Sequence, residues 1–422
     1  MLRVRTLRCA KELSVSMNKK PLVYLDWAAT APLSVEAHDA MLPYLAPGMV
    51  GIEQGSGNAN SLHSAGRDAF KALEAARRDI ARSLDARGDE IVFTSGATEA
   101  DNTALIGIVE GTLRKRGLDL AALCKEETLT PSVVVSAIEH DAVLQAADLL
   151  VHRGIEVVFV KPDRCGHITP QALQDVLNGL DDPVLVSIMA LNNETGAVMD
   201  IPSLATIAHG AGVLFHTDAT QALGKIPLSV KQWGIDALSL SSHKVGGPKG
   251  VGALYLKART PFLAQMVGGG QESNRRSGTQ NIAGAVGFAA ALRAAVDNLE
   301  MNASTMERLR DRLFTGLCAL PGVEALVDQT SGDYAPHIVT VSCPGFESET
   351  LILQLDKRGI CVSGGSACAS HSLDPSHVLS AMGIDRDKAL SMLRFSLGPD
   401  TTEAEIAFCI DEVREVLNTT WN

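Results

Sequence analysis

Lys244 and Asp218 stand where side chains of their type do chemistry. Asp218 lies in "HTDATQALGK" and Lys244 in "LSLSSHKVGGPKGVG", each directly after an apolar run. An aldehyde cofactor such as pyridoxal phosphate needs an amine for a Schiff base. It also needs a carboxylate that keeps its pyridine nitrogen protonated, which makes the ring an electron sink. Two neighbouring strand ends would supply that pair. From spacing alone a second reading stands beside it: Asp218 caps a helix and Lys244 is a solvated surface lysine.

Other polar residues fall at similar places. In "TSGATEADN" a strand gives way to a helix, and the backbone N–H groups of Gly96, Ala97 and Thr98 suit an anionic phosphate. An ordinary cap by Ser95 or Thr98 is the alternative. His140 in "SAIEHDAVL" and Asn193 in "LNNETGAV" follow strands as well. A histidine there could stack on a planar ring or move protons near neutral pH. Arg394 interrupts the apolar strand "LRFSLG". A half-buried arginine requires an anionic partner, either a structural carboxylate or a substrate carboxylate bound bidentately.

Cys368 raises a separate question. Its segment, "SGGSACASHS" (363–372), has small polar residues, two glycines and no apolar periodicity. Most free cysteines are buried as small hydrophobes, and this segment offers no means of burying one. The other cysteines are at 9, 124, 165, 318, 343, 361 and 409, with no CxxC pair. That spacing excludes a zinc-ribbon or thioredoxin-like motif and leaves no metal expected. A reducing compartment fits best, and the cytoplasm is the expected location.

The elements that must position these residues are readable. From about residue 90 to 257, "EIVFTS", "SVVVSA", "IEVVFV", "VLVSIMA", "GVLFHTDA" and "ALSLSS" alternate with helical stretches. Continuous apolar strands separated by helices predict a mainly parallel sheet covered on both faces. Open sheets of that kind bind ligands beyond the carboxyl ends of their strands. "VGALYL" (251–256) follows a Gly-Pro-Lys-Gly turn closely and could return antiparallel. Past residue 280 the texture becomes that of a smaller α/β domain. The expected organisation is therefore a tail at 1–20, a large domain at 21–280 and a small domain at 281–422, with the segment after the tail free to pack on either.

With 422 residues, 46% of them hydrophobic, the chain can build a large core. A formal charge of −12 argues against a nucleic-acid surface, and the apolar runs are too short to span a bilayer. The first residues, "MLRVRTLRCAKELSVSMNKK", are basic but lack a secretory apolar stretch. A disordered tail, or a start at Met17, is favoured over an organelle leader.

The motifs "YLDWAATAPL", "GNANSLHSAGR", "TSGATEADN", "EHDAVL", "NNETGAV", "HTDATQALGKIPL", "SSHKVGGPKGVGALY", "GGGQESNRRSGTQN", "GGSACAS" and "RFSLG" occur in this order. Together they resemble the cysteine desulfurases, a branch of the class V aminotransferases, over residues 22 to about 420. The resemblance implies an aspartate-aminotransferase-like fold (the type I fold of enzymes using pyridoxal 5'-phosphate). Its large domain carries a mainly parallel seven-stranded sheet. The protein would be a homodimer with active sites at the subunit interface.

The resemblance also assigns roles. Lys244 would carry the cofactor, Asp218 would pair with its ring nitrogen, and His140 would stack on the ring and take part in catalysis. Asn193 and Gln221 would lie near the phenolic oxygen. Ala97, Thr98, Ser241 and His243 would hold the phosphate, and Thr279 would reach the phosphate of the other subunit. Arg394, with Asn193, would bind L-cysteine. Cys368 would be the nucleophile on a loop that collects sulfur inside the site and hands it on outside. Exposure among small residues permits the thiolate that attack requires, whereas Cys361 is read as a core residue.

Two departures stand out. Trp27 occupies a position where the family usually has Asn, expected by analogy near the entrance of the site. The span from Ser366 to Arg394 has the length of the longer-loop group, which delivers sulfur to scaffold or carrier proteins for iron–sulfur or other cofactor assembly. The tail after "RFSLG" is short. Competing readings are a selenocysteine lyase, an aminotransferase on the same fold, or a non-catalytic sulfur-pathway subunit. The last should have lost Lys244 or Cys368, and both are present.

Overall fold

In the computed structural model, residues 22–118, 131–330, 333–365 and 374–420 are described. Strands form where β-branched and apolar residues run together. In chain order they are β1 (Val23–Tyr24), β2 (Ile91–Thr94), β3 (Ser132–Ser136), β4 (Glu156–Val160), β5 (Pro183–Ser187), β6 (Leu214–Asp218), β7 (Ala237–Ser241), β8 (Gly252–Leu256), β9 (Glu324–Ala325), β10 (Ile338–Ser342), β11 (Ile360–Cys361) and β12 (Met392–Ser396).

Seven of them make one sheet in the order β2-β8-β7-β6-β5-β3-β4. β3 to β7 pair in parallel, while β8 runs antiparallel to both β2 and β7. The sheet is mainly parallel, as the alternation of strands and helices predicts, and "VGALYL" does return antiparallel. Burial is nearly complete on both faces of every strand except the edge strand β4, where Glu156 and Phe159 are exposed. Val133 and Val135 face the helices Ala97–Lys115 and Asp141–Val151. Val134, Val186, Phe215 and Leu238 join the opposite core with Ser64–Ser83 and Ile201–Gly210. Full burial of each such side chain contributes about 1.5–3 kcal/mol.

The smaller unit holds an antiparallel sheet, β12-β10-β9, and a parallel pair, β1-β11. Bridges Asp26↔Ser396 and Ser363↔Arg394 join the two. The segment after the N-terminal tail thus packs on the small unit through β1.

The boundary drawn at residue 280 does not match the packing. The helix Ile282–Asp297 buries Ile282, Ala285, Phe288 and Leu292 in the core of the large sheet. Its many small residues let it pack closely against Val35–Leu45 and Ser64–Ser83. The separate core of the small unit begins at Met306 in the next helix, Leu299–Cys318. Among the described residues no single helix is long and apolar enough to cross a membrane.

Candidate active site

A cavity of about 430 Å³ opens beyond the carboxyl ends of β2, β3, β5, β6 and β7. Its lining includes Ala97, Thr98, His140, Asn193, Asp218, Gln221, Ser241, His243, Lys244 and Arg394. Residues read separately along the sequence therefore meet in one space. Thr279 does not line it and is exposed. Cys368 lies outside the described residues, as does the tail 1–20.

The strand-to-helix turn after β2 is built for an anion. Gly96 caps the helix Ala97–Lys115 without any side-chain cap bond, so neither Ser95 nor Thr98 takes that role. Free N–H groups at a helix start favour negative charge. Gly252 on β8 permits this approach, because a Cβ there would stand 2.7 Å from the Gly96 Cα.

His140 caps the next helix, Asp141–Val151: its Nδ1 accepts the Ala142 N–H at 3.1 Å. An accepting Nδ1 places the ring proton on Nε2. Asp218 ends β6, almost buried, and Oδ1 accepts the Thr220 N–H at 2.8 Å. Lys244 follows β7, and its Nζ donates to the carbonyls of Ala28 at 2.6 Å and Ala29 at 2.8 Å. Gln221 Nε2 donates to the same Ala28 carbonyl at 2.8 Å. His243 Nδ1 stands 3.0 Å from Thr30 Oγ1. Burial, reinforced by Lys244 and Lys249, pushes the His243 ring down to about 4, so it is neutral at pH 7.

Beneath the strand ends lies a buried polar belt. His216 Nδ1 is 2.8 Å from Ser187 Oγ and its Nε2 is 3.0 Å from Ser239 Oγ, which ties β5, β6 and β7 together. Burial pushes His216 down to about 3. Asp101 stands 3.7 Å from His216 Nε2. Burial holds Asp101 well above the usual carboxylate range, with the Asp218 charge adding to it. Glu139 accepts from Ser136 Oγ and from the Met189 N–H at 2.6 Å, and burial pushes it to about 8. Glu139 therefore keeps its proton at neutral pH.

Arg394 enters from β12. It is buried, with Nη1 donating to the Asn193 carbonyl at 2.8 Å and Nη2 to Asp26 Oδ1 at 3.1 Å. Trp27 does not line the cavity, contrary to its expected place near the entrance. Its ring packs on Gly398, where a Cβ would come within 2.0 Å, and its Nε1 donates to the Tyr24 carbonyl at 3.1 Å. Cys361 is partly buried in β11, and burial raises its thiol pKa.

Sequence reasoning took Asp26–Thr30 as part of a motif and singled out Trp27, but missed Asp26, Ala28, Ala29 and Thr30, whose side chains and carbonyls hold Arg394, Lys244, Gln221 and His243. It also missed Asn192, whose Oδ1 accepts from the Glu194 and Thr195 N–H groups and shapes the turn that presents Asn193. An Asn followed closely by a Gly is a turn signal that could have drawn attention to it.

An anion site at an uncapped helix start, a carboxylate at the end of β6 and a lysine reaching the same cavity define the donor set for a phosphorylated pyridine aldehyde. The sequence model of the aminotransferase class-V family matches residues 23–408. The chain belongs to the class V aminotransferase family, whose cofactor is pyridoxal 5'-phosphate.

More particular relatives follow. The protein named cysteine desulfurase IscS from Dictyoglomus turgidum (strain DSM 6724 / Z-1310) is 37% identical over 395 residues, covering 94% of each chain. Its namesake from Salmonella schwarzengrund (strain CVM19633) is 39% identical over 396 residues, covering 93% of this chain and 92% of its own. A solved structure described as a NifS-like protein superposes with TM-score 0.83 at 34% identity, covering 94% of this chain and all of its own. Another, described as SspA in complex with cysteine, gives 0.73 at 30% identity, covering 90% of this chain and 100% of its own.

Proposed function

We propose that this protein is a cysteine desulfurase that takes sulfur from L-cysteine, leaves L-alanine and carries the sulfur as a persulfide on Cys368. The observation that carries the reading is the convergence of Lys244, Asp218, His140 and Arg394 on one cavity beside an uncapped helix start. The class V family and relatives named cysteine desulfurase support it.

The cofactor supplies an electron sink conjugated to the substrate's Cα. Lys244, which reaches the cavity, would anchor it and would be the base toward the substrate. Asp218 would be the carboxylate for its ring nitrogen, since it ends β6 and lines the cavity. His140 would stack on the ring, and Ala97, Thr98, Ser241 and His243 would hold the phosphate. Arg394 binds the carboxylate of cysteine. The Cys368 thiolate attacks the substrate sulfur. An S–S bond forms as the Cβ–S bond breaks, and its electron pair stays with carbon, which gains a proton to become the methyl of alanine. Cysteine and one protein thiol thus become alanine and one persulfide.

The finer parts belong to the same proposal. The acceptor is a scaffold or carrier protein whose own cysteine thiolate attacks the outer sulfur of the Cys368 persulfide, so that a new S–S bond forms on the acceptor as the old one breaks and Cys368 leaves as its thiolate, serving iron–sulfur or related cofactor assembly in the cytoplasm. The active form is a homodimer in which Thr279 of one copy reaches the phosphate bound by the other.

Incubation with L-cysteine tests the reading. Alanine should form, and mass spectrometry should find one added sulfur on the peptide containing Cys368. The Cys368→Ser variant should bind cysteine yet yield neither product, because a hydroxyl is a poor nucleophile toward sulfur. Turnover by that variant, or sulfur on Cys361 instead, would overturn the role of Cys368. Lys244→Ala should lose the borohydride-trapped adduct.

A further inference from the structure

Arg394 has more donors than its protein partners use. It is 2% exposed, with one bond from Nη1 to the Asn193 carbonyl and one from Nη2 to Asp26 Oδ1. Its Nε finds no hydrogen-bond partner among the described residues. A buried N–H left unpaired is costly, so the missing acceptor is expected from the cavity that Arg394 lines.

Asp26 is itself fixed. It bridges Ser396, two residues along the strand from Arg394. The Ser396 N–H donates to the Leu25 carbonyl at 2.7 Å, and the Trp27 N–H donates to the Ser396 carbonyl at 3.3 Å. Its carboxylate is therefore set by backbone on both sides. A guanidinium can turn about its last bonds, and two bonds to fixed oxygens on different nitrogens remove that freedom.

We propose that Asp26 is a positioning residue for substrate recognition: it locks the Arg394 guanidinium so that the remaining N–H groups, Nε among them, are presented to the substrate carboxylate. This rests on the proposed reading of Arg394 as the carboxylate grip. An ion pair that merely joins the segment after β1 to β12 would affect folding and leave discrimination between ligands untouched.

The test uses the loaded enzyme and two ligands that differ only at that group, L-alanine and L-alaninamide, titrated against the cofactor absorbance. The wild type should prefer alanine. In Asp26→Ala the preference should shrink by about tenfold or more, the range of one charge-assisted bond. The alaninamide affinity should stay within about twofold. An Asp26→Ala/Arg394→Lys double variant should show a preference no weaker than Arg394→Lys alone, because both changes disable one device. An unchanged preference in Asp26→Ala, equal losses for both ligands, or additive effects in the double variant would overturn the proposal.

If Asp26→Ala fails to fold or to hold cofactor, Asp26→Asn gives the answer. It keeps an acceptor oxygen but loses the charge, so its preference should be intermediate, and full retention would overturn the proposal. The outcome is separable from that of the desulfurase reading, since neither ligand contains sulfur. A wild type that makes no alanine from cysteine refutes that reading and leaves the carboxylate test standing.

Discussion

Arg394 joins three parts of the chain: its own strand, the Asn193 turn and Asp26. Lysine keeps the charge but cannot reach two oxygens from one planar fork and still offer an edge to a carboxylate. Arg394→Lys should therefore weaken cysteine binding by about ten- to a hundredfold. The cofactor absorbance should not change. A KM for cysteine within twofold of wild type would reduce the arginine to a structural cation. Among site residues, those that end strands could be read in the sequence, because a polar residue after an apolar run is a local signal. Asp218, Lys244, His140 and Asn193 carry it. Asp26, Ala28, Ala29 and Thr30 carry none. Their partners are more than 190 residues away, and two of the four act through backbone carbonyls, which any residue type provides. Trp27 misled for the opposite reason: an unusual side chain drew attention, but its ring faces Gly398.

One short element is held against its own backbone preference. In the turn Gln271–Asn274, the residues Glu272, Ser273 and Asn274 have φ of 49°, 57° and 63°. Each non-glycine residue in that region costs roughly 1 kcal/mol or more. Buried contacts oppose the cost. Glu272 accepts from Arg77 Nη1 at 2.5 Å, from Arg77 Nη2 at 2.9 Å and from the Phe93 N–H at 3.0 Å. Arg276 pairs with Glu99 nearby, in the first turn of the helix whose start faces the cavity. Glu272→Ala should leave the buried Arg77 with fewer partners and release the turn, destabilising the protein by about 3–5 kcal/mol. Urea denaturation followed by far-UV circular dichroism would measure it, and a change under 1 kcal/mol would mean that the turn is held by something else. Long elements were predictable because apolar runs repeat along the chain, whereas two-residue strands such as β1, β9 and β11 have no periodicity to read. The helix Ile282–Asp297 was visible as a helix. Its allegiance to the large sheet was not, since periodicity reports a buried face and never names the neighbour.

Across the whole molecule, buried ionisable groups set opposite pH windows for stability. His216 is held to about 3, against its ordinary value of 6.5. Between those values the unfolded chain binds a proton that the folded one refuses, so stability falls as pH drops through that window. Glu139 is raised from 4.5 to about 8. Between those values the folded chain keeps a proton the unfolded chain has lost, so stability falls as pH rises. Glu139→Gln should remove the second slope: from pH 5 to 8 the wild type should lose about 1.4 kcal/mol per unit relative to the variant. Parallel denaturation curves at pH 5, 6.5 and 8 would show that Glu139 is ionised in the folded state. The surface makes its own demand. Val35, Leu42 and Leu45 on the helix Val35–Leu45 are at least half exposed, and so are Met49 and Val50 on the following helix Gly48–Glu53. Val35 and Leu42 are seven residues apart, so they share one helix face. Apolar side chains grouped this way on consecutive helices mark an interaction surface, and a second copy of the chain is the proposed occupant. The net charge of −12 opposes association in general, so the apolar contact must provide the attraction. Replacing Val35 and Leu42 together by Asp would put charges into that contact while leaving the Ser34 cap intact. In sedimentation the wild type should run at twice the chain mass of 44.6 kDa and the double variant at the single mass. The variant should also lose turnover, because Thr279 could no longer reach a partner's phosphate. A wild type of single mass would refute the dimer, and a variant that stays paired would refute these helices as its interface.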